Sequence, residues 1–228
     1  MQKKFSMILT LDYTNHPNSH GFIVGRSIKT NASKHVQRNY ILNFDLENYF
    51  ENINFGRVRS MFTYYFGFNN TVSSTLANTC CHYEGFLPQG ASTSPIISNI
   101  ISYKMDRELS KLAAKNNCIY TRYADDITLS TKSEFLQKRI ALIKDNSVSL
   151  SKEINNIIKK NGFLINDSKT RLSSKYERQI VTGITVNKKL NVNRRYIRRV
   201  RSILHCIEKN IDDIEIAKSI FKEKYKFR

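Results

Sequence analysis

The sequence predicts an α+β protein, with a small antiparallel sheet and helices packed on one face. Three observations carry this. Apolar residues alternate at period two through residues 39–46, and the apolar runs Cys118-Ile119-Tyr120 and Ile127-Thr128-Leu129 flank Asp125-Asp126 as two further strands. Between those strands, a segment from Ser94 to Lys115 repeats its apolar residues at intervals of three and four. No internal repeat or low-complexity linker interrupts the 228 residues, and their 40% hydrophobic, 25% charged composition supports an ordinary core.

Taken in order, residues 1–38 are largely polar. Phe5 to Leu11, after Lys3-Lys4, is a short apolar run ended by Asp12 with no small-residue cleavage site behind it, so it reads as a first helix or strand rather than a signal peptide. A turn-rich patch follows at Asn15-His16-Pro17-Asn18-Ser19. Residues 39–46 form a strand with Asp45 near its end. Asn54-Phe55-Gly56-Arg57-Val58 opens a helix that places Val58, Met61, Phe62 and Tyr65 on one side. Pro88 and Gly90 make Leu87-Pro88-Gln89-Gly90 a turn. The Ser94–Lys115 helix buries Ile97, Ile100, Ile101, Met105, Leu109 and Leu112. Strands follow at 118–123 and 126–131, with the carboxylate pair at the turn between them.

Residues 133–160 read as one long helix burying Phe135, Ile140, Ile143, Ile154 and Ile157, with a break near Asp145-Asn146, and Gly162 closes it. Short strands are expected at 163–165, 170–173 and 179–186. The last helix, 194–211, has Ile197, Val200, Leu204, Ile207 and Ile211 in one stripe. Arg194, Arg195, Arg198, Arg199 and Arg201 lie off that stripe.

The charge is lopsided: 37 Lys and Arg against 19 Asp and Glu, a net of +18. Such a field attracts polyanions, either nucleic acid or an acidic membrane surface. Twelve Tyr and 13 Phe interleaved with the basic residues suit base stacking as well as core packing. No apolar run reaches the roughly 18 residues of a membrane span. Cys80, Cys81, Cys118 and Cys206 lack metal-binding spacing and read as reduced packing residues of a cytoplasmic protein. His82 and His205 read as structural.

The chemistry concentrates in three aspartates. Asp125 and Asp126 stand side by side inside an apolar run, where two buried charges need a positive neutraliser. If the strand ending at Asp45 is their neighbour, Asp45 faces Asp125. Two Mg²⁺ ions about 3.5–4 Å apart could then be held for phosphoryl transfer. Mg²⁺ favours such an open set of carboxylates completed by substrate phosphates.

These segments resemble the reverse transcriptases. Tyr123-Ala124-Asp125-Asp126 resembles their YxDD box, and Phe44-Asp45-Leu46 with Tyr49-Phe50 resembles their first catalytic motif. Residues 87–95, LPQGASTSP, with Ser98-Asn99 resemble the LPQG…SP…SN box, with Ser92 where proline is frequent. Asn31-Ala32-Ser33-Lys34-His35 and Val181-Thr182-Gly183 resemble the NAxxH and VTG boxes of the bacterial retron type. The resemblance runs from about His20 to about His205.

The resemblance implies a palm-centred fold with a partial fingers region and a short helical thumb. It implies Asp45 and Asp125 as principal metal ligands, Asp126 as a further carboxylate, and the Leu46 carbonyl as a metal contact. Phe50 would lie under the sugar of the incoming nucleotide and exclude a 2′-hydroxyl. Gln89 would lie in the nucleotide pocket, Tyr123 and Ala124 at the primer end, and Lys169 where a lysine protonates the departing pyrophosphate. The arginines from 194 to 201 would grip RNA. Residues 188–228 hold 13 Lys and Arg against 5 Asp and Glu, a net of +8, so that grip should weaken steeply with salt.

The domains implied are a residual fingers and junction segment at 1–38, a palm at 39–187 and a basic thumb at 188–228. The residues before His20-Gly21-Phe22 match no fingers pattern, and Arg26 is the basic residue left near the junction. The partners implied are a structured RNA template and primer, deoxynucleoside triphosphates and an effector protein in antiphage defence, with no membrane. Two rival readings remain. One is an RNA-binding module built on a palm. The other is a reverse transcriptase of group II intron or other defence type.

Overall fold

Fifteen segments of regular structure run through the computed structural model, which describes residues 2–134, 139–144, 147–209, 215–216 and 218–220. The chain divides into two units, Met1–Leu190 and Asn191–Arg228.

The first unit opens with helix α1 (Gln2–Asp12), which buries Leu9 and stacks Phe5 on Phe62. Helix α2 (Ile28–Ser33) starts at a capping box: the Ser27 hydroxyl accepts from the Thr30 amide, and the Thr30 hydroxyl accepts from the Ser27 amide. Strand β1 is Tyr40–Glu47. Helices α3 (Phe55–Tyr64) and α4 (Asn70–Cys80) are each capped by an asparagine, Asn54 and Asn69. Helix α5 (Ser94–Lys115) carries Pro95 in its first turn, where the missing amide proton has no helical partner to lose. Strands β2 (Cys118–Tyr123) and β3 (Asp126–Thr131) form the hairpin.

Strands β4 (Ala141–Lys144) and β5 (Ser147–Leu150) form a second hairpin, followed by helix α6 (Lys152–Lys160). Strand β6 is Leu164–Ser174, and β7 (Ile180–Val181) with β8 (Ile184–Thr185) make a short hairpin. Thr182 and Gly183, its two turn residues, both have positive φ, the geometry that suits the twist of a two-residue hairpin.

The main sheet has the order β2-β3-β1-β6, antiparallel throughout. Alternation gives it two unlike faces. Leu42, Phe44, Ile127 and Leu129 point into the main core against Met105 and Leu109 of α5, Phe62 of α3 and Ile154 of α6. Each such side chain contributes about 1.5–3 kcal/mol by burial. The opposite face carries Ile41, which packs with Ala32, Val181 and Val186 in a second small core, and farther along it carries Asn43 and Asp45.

The main core also encloses a charge pair. Arg122 of β2 and Asp106 of α5 are both fully buried. The guanidinium donates to both carboxylate oxygens at 2.7 Å, and the Tyr120 hydroxyl donates to the same carboxylate at 2.6 Å.

The α+β expectation holds, and so do the strands at 118–123 and 126–131, the Ser94–Lys115 helix and the glycine cap at Gly162, where φ is +73°. Tyr65 is an exception on the third helix: it is the C-cap residue and is nearly half exposed.

The expected helix over 133–160 is corrected. Its middle is the β4–β5 hairpin, because Ser147-Val148-Ser149-Leu150 alternates at period two. The helix starts only where the Ser151 hydroxyl caps the Ile154 amide. Phe135, Asp145 and Asn146 lie outside the described residues. The separate strands at 163–165 and 170–173 are one strand with an irregularity. Asn43 faces Arg171 while Asp45 faces Asn166, so the polar residues 167–170 loop out of register beside Asp45. Helices α2 and α4, rich in Asn, Ser and Thr, have weak apolar periodicity and were not foreseen.

In the second unit, helix α7 (Arg194–Lys209) has Ile197, Val200, Leu204 and Ile207 on one stripe and its arginines off it, with no residue buried. Ile211 lies outside the described residues. Among the described residues no helix is long and apolar enough to cross a membrane.

Replacing Asp106 by Ala leaves Arg122 buried without its counter-charge and is expected to cost about 3–5 kcal/mol in urea unfolding. The paired replacement of Arg122 by Met and Asp106 by Leu is expected to cost less than either single change, because no lone charge remains.

Candidate active site

Asp45, Asp125 and Asp126 meet at one end of the main sheet. The in-register partner of Asp45 across β1 and β3 is Asp126. The expected opposition of Asp45 and Asp125 is therefore shifted by one residue, because Asp125 belongs to the two-residue turn with Ala124. Directly opposed residues of an antiparallel pair project from the same face, so Asp45 and Asp126 share a face. The Leu46 amide donates to the Asp125 carbonyl at 3.0 Å and ties the turn to β1. The Leu46 side chain itself is buried in the main core.

The three acids strain one another electrostatically. Burial, reinforced by Asp45 and Asp125, pushes the Asp126 carboxyl up to about 7. Burial also raises that of Asp125, with Asp45 adding to it. Lys169, on the looped-out part of β6, places its ammonium 2.8 Å from Asp45 Oδ2, and Arg122 beneath the turn also favours the charged form of Asp125. The hydrogen bond to Asp45 and its charge hold the Lys169 pKa above its ordinary value. Asp45, Asp126 and Lys169 line one cleft of about 360 Å³, whose other walls include Asn43, Arg171, Arg178 and the β7–β8 turn.

Among the described residues no three His, Cys, Asp or Glu side chains close around a metal position. Hard oxygen donors on one open edge nonetheless suit Mg²⁺, which retains water and takes substrate phosphates beside one or two carboxylates.

The turn that carries Asp125 is held from beneath. Ala124 has φ +56°, a left-handed conformation that a residue with a Cβ adopts at a cost. Arg122 secures it, donating from Nη1 to the Ala124 carbonyl and the Tyr49 hydroxyl, each at 3.0 Å, and from Nη2 to Ser19 Oγ and Asn99 Oδ1. Segment 18–20 lies along β2: Arg122 donates its amide to the Asn18 carbonyl, and His20 donates to the Arg122 carbonyl. Next to it Gly21 approaches so closely that a Cβ there would lie 2.5 Å from the Ala124 nitrogen. The Asn99 amide holds the Gly21 carbonyl at 3.0 Å.

The other expected residues are dispersed. Tyr123 ends β2 opposite Asp126, and Phe50 follows β1, half buried against Tyr49. Gln89 is exposed on the loop before α5, and neither it nor Phe50 lines the cleft. Arg194, Arg195, Arg198, Arg199 and Arg201 are exposed on α7, in the second unit. Arg26 donates to the carbonyls of His16, Pro17 and Ser19, so it orders that loop.

The boxes at 31–35 and 181–183 prove to be in contact. Asn31 donates to Thr182 Oγ1 at 3.4 Å, and Ala32 and Val181 share the second core. His35 is fully buried under the hairpin, with Nδ1 2.6 Å from Ser130 Oγ and Nε2 2.7 Å from Thr121 Oγ1. Burial, then Arg38, lowers its pKa to about 3, so the ring is neutral and bridges β3 to β2.

Sequence reasoning missed Arg122, Asp106, Gly21 and Asn99 as supports. A signal was present: Asp106 follows Met105 on the apolar face of a helix, and Arg122 interrupts a strand two residues before Ala124. A charge at a core position in each of two packed elements is the mark of a buried pair.

Two outcomes test this geometry. Because Asp126 binds its proton more tightly folded than unfolded, the metal-free protein loses stability as pH rises from about 4 to about 7. Asp126→Asn is expected to stabilise it by about 1–2 kcal/mol at pH 7.5 and by nothing at pH 4. Unfolding in the presence of a chelator reads this. Gly21→Ala forces the Ala124 backbone to move and is expected to cost about 1–3 kcal/mol, the price of overpacking, with displaced Ala124 and Asp125 amide resonances as its signature.

Residues 1–197 match the family model described as reverse transcriptase (RNA-dependent DNA polymerase). The chain is 36% identical over 192 residues to the retron Ec86 reverse transcriptase of Escherichia coli, covering 84% of this chain and 56% of that one. It is 33% identical over 232 residues to the retron Mx65 reverse transcriptase of Myxococcus xanthus, covering 94% and 52%. The chain thus spans about half the length of these curated relatives. Among solved structures it resembles the Candida albicans telomerase in complex with a TWJ fragment of telomeric RNA, with a TM-score of 0.58 and 12% identity over 82% of this chain and 38% of that one. It also resembles the apo telomerase of Candida tropicalis, with a TM-score of 0.56 and 14% identity over 85% and 41%. At that identity the likeness speaks for the fold, the palm-type α+β arrangement. The matched family model, the three aspartates at one sheet end and the retron boxes in contact lead to one conclusion: the chain belongs to the reverse transcriptase (RNA-dependent DNA polymerase) family and is of the retron type.

Proposed function

We propose that the chain is an RNA-directed DNA polymerase that copies a structured non-coding RNA into short DNA. The observation that carries this is the meeting of Asp45, Asp125 and Asp126 at one open sheet end, in a chain of this family. Asp45 and Asp125 would hold two Mg²⁺ ions, with Asp126 and the Leu46 carbonyl as further oxygen donors. Bound there, the ions supply Lewis-acid activation of the primer hydroxyl and neutralise charge on the leaving pyrophosphate.

The chain's own groups do the rest. Phe50 blocks a 2′-hydroxyl and so selects deoxynucleoside triphosphates. Gln89 would meet the nucleotide from its exposed loop before α5, outside the cleft that holds Asp45 and Asp126, and Tyr123 with the small Ala124 accommodates the primer end. Lys169 stays protonated beside Asp45 and gives its proton to the pyrophosphate oxygen as that group leaves. The α7 arginines grip RNA phosphates. In the cell, the reading extends to antiphage defence with an effector protein, as the retron resemblance implies.

Primer extension on a structured RNA, with deoxynucleotides and Mg²⁺, tests the reading. Asp125→Asn is expected to lower synthesis by more than about 100-fold, beyond the 10–100-fold typical of outer-shell changes, while RNA binding persists. Equal synthesis by the variant, or no synthesis by the unaltered chain while RNA binding stays tight, would instead support a non-catalytic RNA-binding module.

A further inference from the structure

Phe22 combines two unfavourable features. Its φ is +61°, a conformation that bulky residues avoid, and nearly half of its surface is open to solvent. Its neighbours fix that backbone. The His20 amide is bound to the Arg122 carbonyl, the Gly21 carbonyl is bound by Asn99, and Gly21 abuts the Ala124 backbone. The network that holds the Asp125 turn therefore also holds Phe22. Strain kept in place by its surroundings, beside a reactive site, points to a role there.

The ring has one aromatic neighbour on the site side. Its centroid lies 6.1 Å from that of Phe50, tilted by 51°. Phe50 in turn meets Tyr49 edge-on at 5.2 Å, and the Tyr49 hydroxyl accepts from buried Arg122. The three rings form a ledge running from the core out to solvent. An apolar wall rejects one added hydroxyl only weakly if it can yield. Phe50 is half buried, with ring contacts to both Tyr49 and Phe22.

We propose that Phe22 is a second specificity-determining residue: it braces Phe50 and completes the aromatic wall that reads the sugar of the incoming nucleotide. This rests on the reading of Phe50 as the sugar gate. Phe22 sets rigidity, so its loss admits ribonucleotides without removing any metal donor.

The test is single-nucleotide incorporation by the full chain with Mg²⁺ on an RNA template, comparing kcat/KM for a deoxynucleotide and the matching ribonucleotide. Phe22→Ala is expected to lower that ratio by about three- to tenfold, the worth of one aromatic pair, through faster ribonucleotide use. Phe22→Tyr should restore it. Phe22→Leu, which keeps more of the apolar bulk should the alanine variant misfold, should fall between. An unchanged ratio with both substrates slowed equally would overturn the proposal. Phe50→Ala runs alongside. If it relaxes the ratio and neither Phe22→Ala nor Phe22→Leu does, the bracing role alone fails; if neither position matters, the gate reading fails too. Absence of Asp125-dependent synthesis in the unaltered chain would overturn the polymerase reading and this inference together.

Discussion

The position of the turn that carries Asp125 depends on one buried ion pair. Arg122 sits in the core with six acceptor atoms around its five N–H donors, two on Asp106 and one each on Tyr49, Ala124, Ser19 and Asn99. Removing two charges from water costs several kcal/mol per ion before any contact is made. An apolar pair of similar volume could pack as well, so stability alone does not account for it. What the guanidinium adds is direction. Its fixed fork reaches α5, the segment after β1, segment 18–20 and the Ala124 carbonyl at once. A strained two-residue turn is thereby set at a defined height above the sheet, with Asp125 within it and Asp126 just after.

From that anchor the unlike faces of the sheet acquire meaning. One face is a core of aliphatic and aromatic side chains. The other runs from the Asp45–Asp126 pair, through the Asn43–Thr128 hydrogen bond, to buried His35 on Thr121 and Ser130, and then to the small core shared by Ala32 and Val181. Asp45 and Asp126 sit at the open end of this strip, where Lys169 pairs with Asp45. Carboxylates that repel one another raise each other's proton affinity and gain from any cation placed between them. The neutral His35 holds the same two strands from the far end, so hairpin register is set twice.

Much of this was legible in the residues. The 22-residue helix α5 repeats its apolar residues at three and four, the β2–β3 hairpin shows as short apolar runs, and the carboxylate pair marks its turn unaided. The region after Thr131 was not, because Ile140, Ile143, Ile154 and Ile157 fit a helical spacing that the alternation of Ser147 to Leu150 overrides. Residues 166–169 read as a gap between strands, and only the pairing with β1 reveals that this stretch carries Lys169 to Asp45. Supports such as Gly21 stayed hidden for a different reason. Its requirement comes from Ala124, distant in sequence, and local patterning holds no record of such a contact.

The central claim is that Asp45, Asp125 and Asp126 form one metal-binding unit. Calorimetric titration of the full chain with Mg²⁺ at pH 6.5, in two buffers of different ionisation enthalpy, tests it most directly. The account predicts binding accompanied by proton release from Asp126, with binding lost in Asp45→Asn and Asp125→Asn and the release lost in Asp126→Asn. Equal Mg²⁺ binding by all four proteins, or binding with no proton released, would contradict it.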